Sequence, residues 1–218
     1  MLVLQLRTCV LTIKRNSRGS LNMKQILAIF MLIVFSGNTF ASESPDLYLE
    51  KIATKMIQAV KKNQSSLKTD KMLAIKLVKK HLLSAIDRNG FAKRTLGKKA
   101  WKSLSEAQQQ KFVSLFINLV IGNYAKGLSL YDGQTFQFKK AIFSKSGKSS
   151  KVRSSMQQSG TTPVIIDYLL SNKTGSWKII NITIEGVSMN KSYKNQFLPR
   201  LNELGIDAFL ADLEKNAQ

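Results

Sequence analysis

Residues that commonly carry out catalysis or bind metals are scarce in this chain. Its 218 residues include one Cys, Cys9, and one His, His81. A Cys/His zinc site needs several such ligands and a disulfide needs two cysteines, so the composition excludes both. His81 lies beside lysines at the end of a predicted helix, where we expect a surface or capping role.

Two weaker candidates for chemistry are present. Asp167 and Glu185 would form a carboxylate pair only if folding brought them together, and hydrogen-bonded structural roles are the ordinary alternative. Residues 146–149, Ser-Gly-Lys-Ser, resemble the end of a phosphate-binding loop, but Ile142 stands where that motif requires Gly. We therefore predict a polar hairpin turn at these residues and a protein that is not an enzyme.

Positive charge is concentrated in one part of the chain. The protein has 34 Lys and Arg against 13 Asp and Glu, a net charge of +21. Residues 42–160 carry 23 basic and 7 acidic side chains, whereas residues 161–218 carry six of each. Such a field favours an anionic partner, and a solvated charged face without a specific partner is the alternative. Nucleic acid is disfavoured because the aromatic residues lie on predicted apolar stripes, opposite the lysines.

The first 41 residues predict an export signal. Met23 and Lys24 precede a ten-residue apolar run, residues 26–35, which is followed by the small residues Thr39 and Ala41. This run is shorter than the roughly 20 residues that a membrane-spanning helix needs, and a permanent anchor is the alternative. We expect translation to start at Met23, cleavage after Ala41, and a single domain over residues 42–218.

Hydrophobic periodicity then predicts the elements of this domain. Apolar residues at helical spacing predict helices over residues 46–62, 69–83, 87–97, 104–130 and 193–215. Thr69 or Asp70 is expected to cap the second helix, and Ser103 with Glu106 to form a capping box at the start of the longest one.

From residue 134 the period changes to two, which predicts strands over residues 134–142, 149–157, 163–170 and 177–184. Short links between them favour antiparallel pairing. The pattern predicts an α+β fold with helices packed on one face of a four-stranded antiparallel sheet.

The longest helix carries a broad apolar stripe that needs a large apolar surface to face. We expect that surface to come from alternate strand residues. Periodicity does not distinguish a solid core between these two surfaces from a cavity, so both readings stay open at this point.

Several short motifs, in order along the chain, resemble one known family. They are Leu83-Ser-Ala-Ile-Asp87, Phe91-Ala-Lys-Arg-Thr-Leu-Gly97, Trp101, Ser105-Glu-Ala-Gln-Gln-Gln-Lys-Phe112, Phe116, Tyr124-Ala-Lys-Gly-Leu128, Gly175-Ser-Trp177, Glu185-Gly-Val-Ser-Met189, Tyr193-Lys-Asn-Gln-Phe197 and Gly205-Ile-Asp207. Together they resemble the MlaC or toluene-tolerance family of periplasmic phospholipid-binding auxiliary proteins of ABC transporters. The resemblance covers nearly all of residues 46–213. Two departures are Ile180-Asn181, where Tyr-Asp is expected, and Lys194, where Arg is usual.

The resemblance implies that a twisted sheet and its helices enclose an apolar pocket for phospholipid acyl chains, which would be cargo, with no cofactor. It also implies a periplasmic shuttle between an outer-membrane lipoprotein complex and an inner-membrane ABC transporter with MCE-domain subunits, which maintains outer-membrane lipid asymmetry. The candidate lipid-binding residues are Leu96, Phe112, Phe116, Leu119, Tyr124, Val152, Ile165, Ile182, Ile184 and Val187. The alternative is a secreted basic adaptor domain that binds an anionic partner without lipid cargo.

Overall fold

The computed structural model of the protein describes residues 43–216. The expected start at Met23 and the expected cleavage after Ala41 lie outside the described residues. Within residues 43–216 the helices are α1 (Pro45–Lys62), α2 (Gln64–Leu67), α3 (Lys71–His81), α4 (Arg88–Ser103), α5 (Glu106–Ala125), α6 (Met189–Leu204) and α7 (Ile206–Asn216). Short 3-10 helices cover Leu83–Ala85 and Lys126–Leu130.

The caps of α3 and α5 show how well local sequence predicts the helix starts. Asp70 caps α3, because its Oδ1 accepts the N–H of Leu73 at 2.9 Å. The capping box of α5 is formed by Ser105 and Gln108, two residues after the predicted one. The prediction at Ser103 is wrong because the Ser103 hydroxyl donates to the carbonyl of Ala100, at 2.8 Å, and belongs to the end of α4.

Helix α4 is kinked at Gly97, where the sequence predicts a helix end. Gly97 has φ 79° and ψ 164°, and the chain resumes helical geometry as far as Ser103. This left-handed φ suits glycine. A Cβ added at Gly97 would also lie only 3.2 Å from Nζ of Lys194, so the α6 lysine lies directly over the kink.

The sheet has six strands, two more than the sequence predicts. They are β1 (Thr135–Phe138), β2 (Ile142–Phe143), β3 (Ser149–Gln157), β4 (Val164–Ser171), β5 (Lys178–Ile184) and β6 (Val187–Ser188). The strand order is β1-β3-β4-β5-β6, all antiparallel, with β2 also paired to β3. The first predicted strand is divided into β1 and β2, and β6 is a two-residue strand just after the last predicted one. The α+β class is confirmed.

Buried apolar side chains form three separate clusters. The helical cluster joins α4, α5, α6 and α7 and includes Phe91, Phe112, Phe116, Tyr193, Phe197 and Phe209. The sheet cluster consists of Leu49, Ala85, Val152, Leu170, Trp177 and Ile179. The third cluster joins α1, α2 and α3 to the end of α5, through Met56, Val60, Leu67, Ala74, Leu77 and Ala125.

Aromatic rings interlock inside the helical cluster. Phe112 stacks on Phe116 at a centroid distance of 5.5 Å, and Phe116 meets Tyr193 edge-on at 5.1 Å. Phe197 lies edge-on to both phenylalanines of α5. An 18-residue window within Glu106–Leu130 has a mean hydropathy of 1.3, so by length and composition alone this segment could cross a bilayer. Phe112, Val113, Phe116, Ile117 and Ile121 of this segment are buried in the helical cluster.

We predict that Phe112→Ala destabilises the domain by about 3–5 kcal/mol, because Phe112 is fully buried and its removal leaves a cavity. Denaturant unfolding followed by circular dichroism measures the change. Tyr124→Ala is the control on the same helix: its side chain is half exposed, so a loss below about 1 kcal/mol is expected. Equal losses for the two variants would contradict the assignment of Phe112 to the core.

The face of the sheet that points away from the sheet cluster carries an ion-pair network. Arg153 binds both carboxylate oxygens of Asp167, at 2.7 and 3.0 Å, and Lys151 lies 2.9 Å from Asp167 Oδ2. The hydrogen bonds from Arg153, assisted by Lys151, lower the pKa of Asp167 from 3.8 to about 2. The carboxylate therefore stabilises the fold above the unfolded-state pKa, and this contribution is lost as the pH falls through the folded-state value.

We expect the free energy of unfolding to decrease between pH 4 and pH 2, partly because Asp167 takes up a proton there. Asp167→Asn should lower stability at neutral pH by about 1 kcal/mol and make the acid limb less steep. Urea unfolding at a series of pH values measures both effects. Asp132→Asn is the matched control, because Asp132 is exposed and forms no ion pair within residues 43–216. An acid limb unchanged by Asp167→Asn would contradict the prediction.

Candidate functional site

Strand register determines which side chains share a face of the sheet. Antiparallel partners point to the same side and successive residues alternate. Val152 pairs with Tyr168, and Tyr168 pairs with Ile182. Since Val152 belongs to the sheet cluster, these three residues define the face that we call the inner face.

One end of the inner face is packed and the other is not. Around Val152 and Leu170 the inner face is fully buried in the sheet cluster. Towards the other ends of the same strands lie five apolar residues that are only partly buried and that belong to none of the three clusters. These are Phe136, Met156, Val164, Ile166 and Ile184, and we call them the open strip.

The open strip is continuous across the sheet. Phe136 pairs with Met156, and Met156 pairs with Val164. Ile166, two residues along β4 from Val164, pairs with Ile184. Neighbouring side chains on one face lie about 5 Å apart, so the strip is a single apolar surface that spans four strands. An apolar molecule placed on it would be removed from water without displacing the packed core.

The packing of the helices leaves the open strip outside the buried clusters. Helix α1 packs on β1 and β3, and α4 and α6 pack on β5. The longest helix, α5, packs mainly on α3, α4 and α7. Five half-buried residues pack against the helical cluster: Leu119 and Val120 of α5, Ile75 and Val78 of α3, and Ile182 of the inner face. The residues of the open strip are also half-buried, but they belong to none of the three clusters.

Three of the predicted lipid-binding residues lie inside the helical core. Leu96, Phe112 and Phe116 are at most 1% exposed. The rings of Phe112 and Phe116 pack edge-on against Phe197 of α6. The sequence pattern identifies the apolar stripe of α5, and the structure shows that other helices cover much of it, because helical periodicity does not specify which element covers a stripe.

The strand register places Ile165 on the opposite face of the sheet from the one that we expected. Ile165 pairs with Ser155, on the face that also carries Arg153 and Asp167, so it points away from the inner face. Its neighbour Ile166 occupies the position that we expected for Ile165.

The other predicted strand residues do share the inner face. Val152, Ile182 and Ile184 lie on it, and Val187 pairs with Ile184 at the edge of the sheet, where its side chain is 61% exposed. Leu119 is half-buried at the edge of the helical cluster, and Tyr124 is half exposed near the end of α5. For these six residues, binding of an apolar ligand stays a prediction.

Four residues of the open strip were not predicted. Phe136, Met156, Val164 and Ile166 all lie in predicted strands, and their period-two spacing places them on one face once the register is known. The pairing between strands, which the sequence does not specify, is the signal that identifies them.

Two tyrosine hydroxyls in the apolar clusters are hydrogen-bonded. The hydroxyl of Tyr168, on the inner face, is paired with Ser154 Oγ at 3.5 Å, and burial raises the pKa of this tyrosine. Burial also raises the pKa of Tyr193 in the helical cluster, whose hydroxyl accepts a hydrogen bond from Asn123 Nδ2 at 3.2 Å. Both hydroxyls therefore stay protonated at neutral pH.

The candidate carboxylate pair does not form. Asp167 is held by Arg153 and Lys151, while the carboxylate of Glu185 accepts the backbone N–H of Ile165. In residues 43–216 no group of three or more His, Cys, Asp or Glu side chains is arranged to hold a metal ion. His81 is half-buried at the end of α3.

A family model of the MlaC protein matches residues 50–215, about three quarters of the chain. The chain belongs to the MlaC family. Among its relatives, the intermembrane phospholipid transport system binding protein MlaC of Haemophilus influenzae is 26% identical over 207 residues, which cover 90% of this chain and 96% of that protein. The toluene tolerance protein ttg2D of Pseudomonas putida is 22% identical over 181 residues, 82% of this chain and 83% of that one.

A solved structure shares the fold of this MlaC-family protein. The phospholipid-binding protein of Ralstonia solanacearum, determined in complex with a phospholipid, superposes with a TM-score of 0.72 at 22% identity. The match covers 80% of this chain and 97% of that one. It supports the α+β arrangement of helices and antiparallel sheet described above.

The two departures from the family pattern have structural roles in this MlaC-family member. Asn181 Nδ2 donates to Ser188 Oγ at 3.0 Å, and Asn181 Oδ1 accepts the N–H of Asn190 at 3.3 Å. Asn181 thereby ties β5 to the first turn of α6. Lys194 extends over the kink at Gly97.

The open strip predicts binding of a small apolar fluorophore such as N-phenyl-1-naphthylamine. Protein refolded from denaturant should bind this dye, and Ile166→Asn should weaken binding about tenfold, since a polar amide replaces a branched apolar side chain on the strip. Dye titration followed by fluorescence measures the affinity. The matched control is Ile165→Asn, on the adjacent residue of the opposite face, which should bind as wild type does. Equal weakening by both substitutions would show that the dye binds elsewhere.

Proposed function

We propose that residues 42–218 form a phospholipid carrier that holds acyl chains against the open strip and the half-buried side chains of α3 and α5 that pack, as Ile182 does, against the helical cluster. The observation that supports this proposal is the continuous apolar surface from Phe136 to Ile184, which is only partly buried and belongs to none of the three packed clusters. The names of the relatives, an intermembrane phospholipid transport binding protein and a phospholipid-binding protein, favour the same cargo.

The energetics of lipid transfer favour a site of this kind. Each methylene removed from water contributes roughly 0.8 kcal/mol, so two acyl chains of about 16 carbons each would cost on the order of 25 kcal/mol if they were exposed to water. A carrier must cover most of that surface while still releasing the lipid. A half-buried apolar surface suits this requirement, because its side chains exchange contact with water for contact with lipid and the packed clusters stay intact.

The proposed carrier works in the periplasm as a shuttle and not as an enzyme. It takes phospholipid between an outer-membrane lipoprotein complex and an inner-membrane ABC transporter with MCE-domain subunits, and so maintains the lipid asymmetry of the outer membrane. The phospholipid is cargo, and no cofactor takes part. The headgroup lies in water at the uncovered end of the inner face, where a polar group keeps its hydration at no desolvation cost.

The direct test is native mass spectrometry of protein purified gently from a bacterial envelope. We expect a population whose mass exceeds that of the chain by one phospholipid. Ile184→Asn should reduce that population, because Ile184 lies on the open strip. Thr183→Asn is the matched control: Thr183 pairs with Asp167 on the opposite face and should leave lipid content unchanged.

Circular dichroism and thermal unfolding of both variants separate lost binding from lost folding. Wild-type protein that carries no lipid, with an interior too closely packed to accept added phospholipid, would overturn the proposal. Tight binding of an acidic protein by such lipid-free protein would favour the adaptor function instead.

A further inference from the structure

Two adjoining clefts lie between α4 and α6, and none of the five residues of the open strip lines either of them. One has a volume of about 460 Å³ and is lined by Arg94, Lys191 and Lys194. The other, of about 660 Å³, is lined by Lys98, Lys99 and the same Lys194. Because Lys194 lies at the junction, over the kink at Gly97, the two clefts form one groove, which we call the α4–α6 groove.

The rim of the α4–α6 groove is positively charged on both sides. Arg94, Lys98 and Lys99 stand on the α4 side, and Lys191 and Lys194 on the α6 side. Within residues 43–216 no acidic side chain lines either cleft, and none of these five cations forms an ion pair. The groove therefore holds five positive charges that the domain itself does not neutralise.

The floor of the groove is apolar on one side of Lys194 and polar on the other. In the larger cleft it includes Leu96, Leu104, Leu198, Leu201 and Ile206. In the smaller cleft the residues other than the three cations are Asn181, Ser188, Asn190 and Asn195. Leu96 and Leu104 are buried beneath the larger cleft, and its other three apolar residues are half-buried. A recessed apolar floor between two charged rims is accessible to a convex ligand, whereas a flat bilayer surface would reach only the lysines.

The shape and charge of the groove select one class of occupant. The α4 side of the groove runs from Arg94 to Leu104 and bends at Gly97. A lone acyl chain in this open groove would leave its own outer side exposed to water. Its headgroup phosphate could pair with the cations at only one end of the groove. A helix with an apolar stripe flanked by Asp or Glu instead fills the floor, presents a polar back to water and places carboxylates opposite both rims.

We propose that the α4–α6 groove is a docking site for an acidic amphipathic helix of a partner protein. The apolar floor supplies most of the binding free energy, and the five cations determine the orientation of the helix and accelerate association. The site is separate from the open strip, so docking and lipid carriage depend on different residues.

Fluorescence polarisation with three synthetic peptides tests this assignment. The probe peptide has Leu at positions i, i+3, i+4 and i+7, flanked by Glu. In the second peptide Ser replaces each Leu, and in the third Gln replaces each Glu. We expect the probe to bind, both altered peptides to bind at least about tenfold more weakly, and probe affinity to fall as ionic strength is raised.

Matched protein variants then locate the binding. Lys98→Glu, Lys99→Glu and Lys194→Glu combined should weaken probe binding at least about tenfold, and Leu198→Gln should weaken it through the floor. The control combines Lys61→Glu, Lys62→Glu and Lys68→Glu, which make the same change in net charge on exposed lysines of another surface. Thermal unfolding shows whether each variant is folded.

Three outcomes would overturn the proposal: equal weakening by the groove and control variants, equal binding of the Ser-substituted peptide, or binding only to vesicles of phosphatidylglycerol. Lipid content measured in the same variants keeps the two proposals distinct. Groove variants that lose peptide and keep phospholipid would support docking at this site, whereas wild-type protein that binds peptide and carries no phospholipid would contradict the carrier function alone.

Discussion

Apolar side chains on the inner face of the sheet have to be removed from water, and the helices do this for only part of the face. Around Val152 the face is closed by α1 and by the segment that carries Ala85, which gives the domain a buried core. Across Phe136, Met156 and Ile166 the same kind of surface is only partly buried and belongs to none of the three clusters. Burial of apolar side chains in the sheet cluster and the helical cluster stabilises the fold, so the open strip does not have to be fully buried as well. The proposed lipid site is thus a part of the sheet's apolar face that the protein core does not fully enclose.

Periodicity in the sequence predicts the elements and the class of this fold because each signal is local. Apolar spacing places the helices to within a few residues, and Asp70 identifies the start of α3. The candidate site is harder to predict because it depends on pairing between distant strands. Ile165 and Ile166 are equivalent by composition and exposure, and only the register with β3 and β5 assigns them to opposite faces. The role of Phe112 is hard to predict for a related reason. An apolar stripe on a helix shows that its surface is covered, but not whether strands, helices or a ligand cover it.

Two departures from a regular fold make the α4–α6 groove. The left-handed conformation of Gly97 bends α4, and Lys194 crosses the bend from α6. Neither feature touches the open strip, which lies on the sheet. The proposed docking groove and the open strip are therefore built from different elements of the domain, the groove from two helices and the strip from four strands.

The interlocked rings of the helical cluster also couple the helices to one another. Phe112, Phe116 and Phe197 each have ring partners on three helices, so a shift of one helix would have to move several rings. The sheet, by contrast, contains two-residue strands and a register irregularity between Leu169 and Leu170. We therefore expect that a bulkier ligand at the proposed site would be accommodated by adjustment of the strands, because close-packed helices cannot move singly.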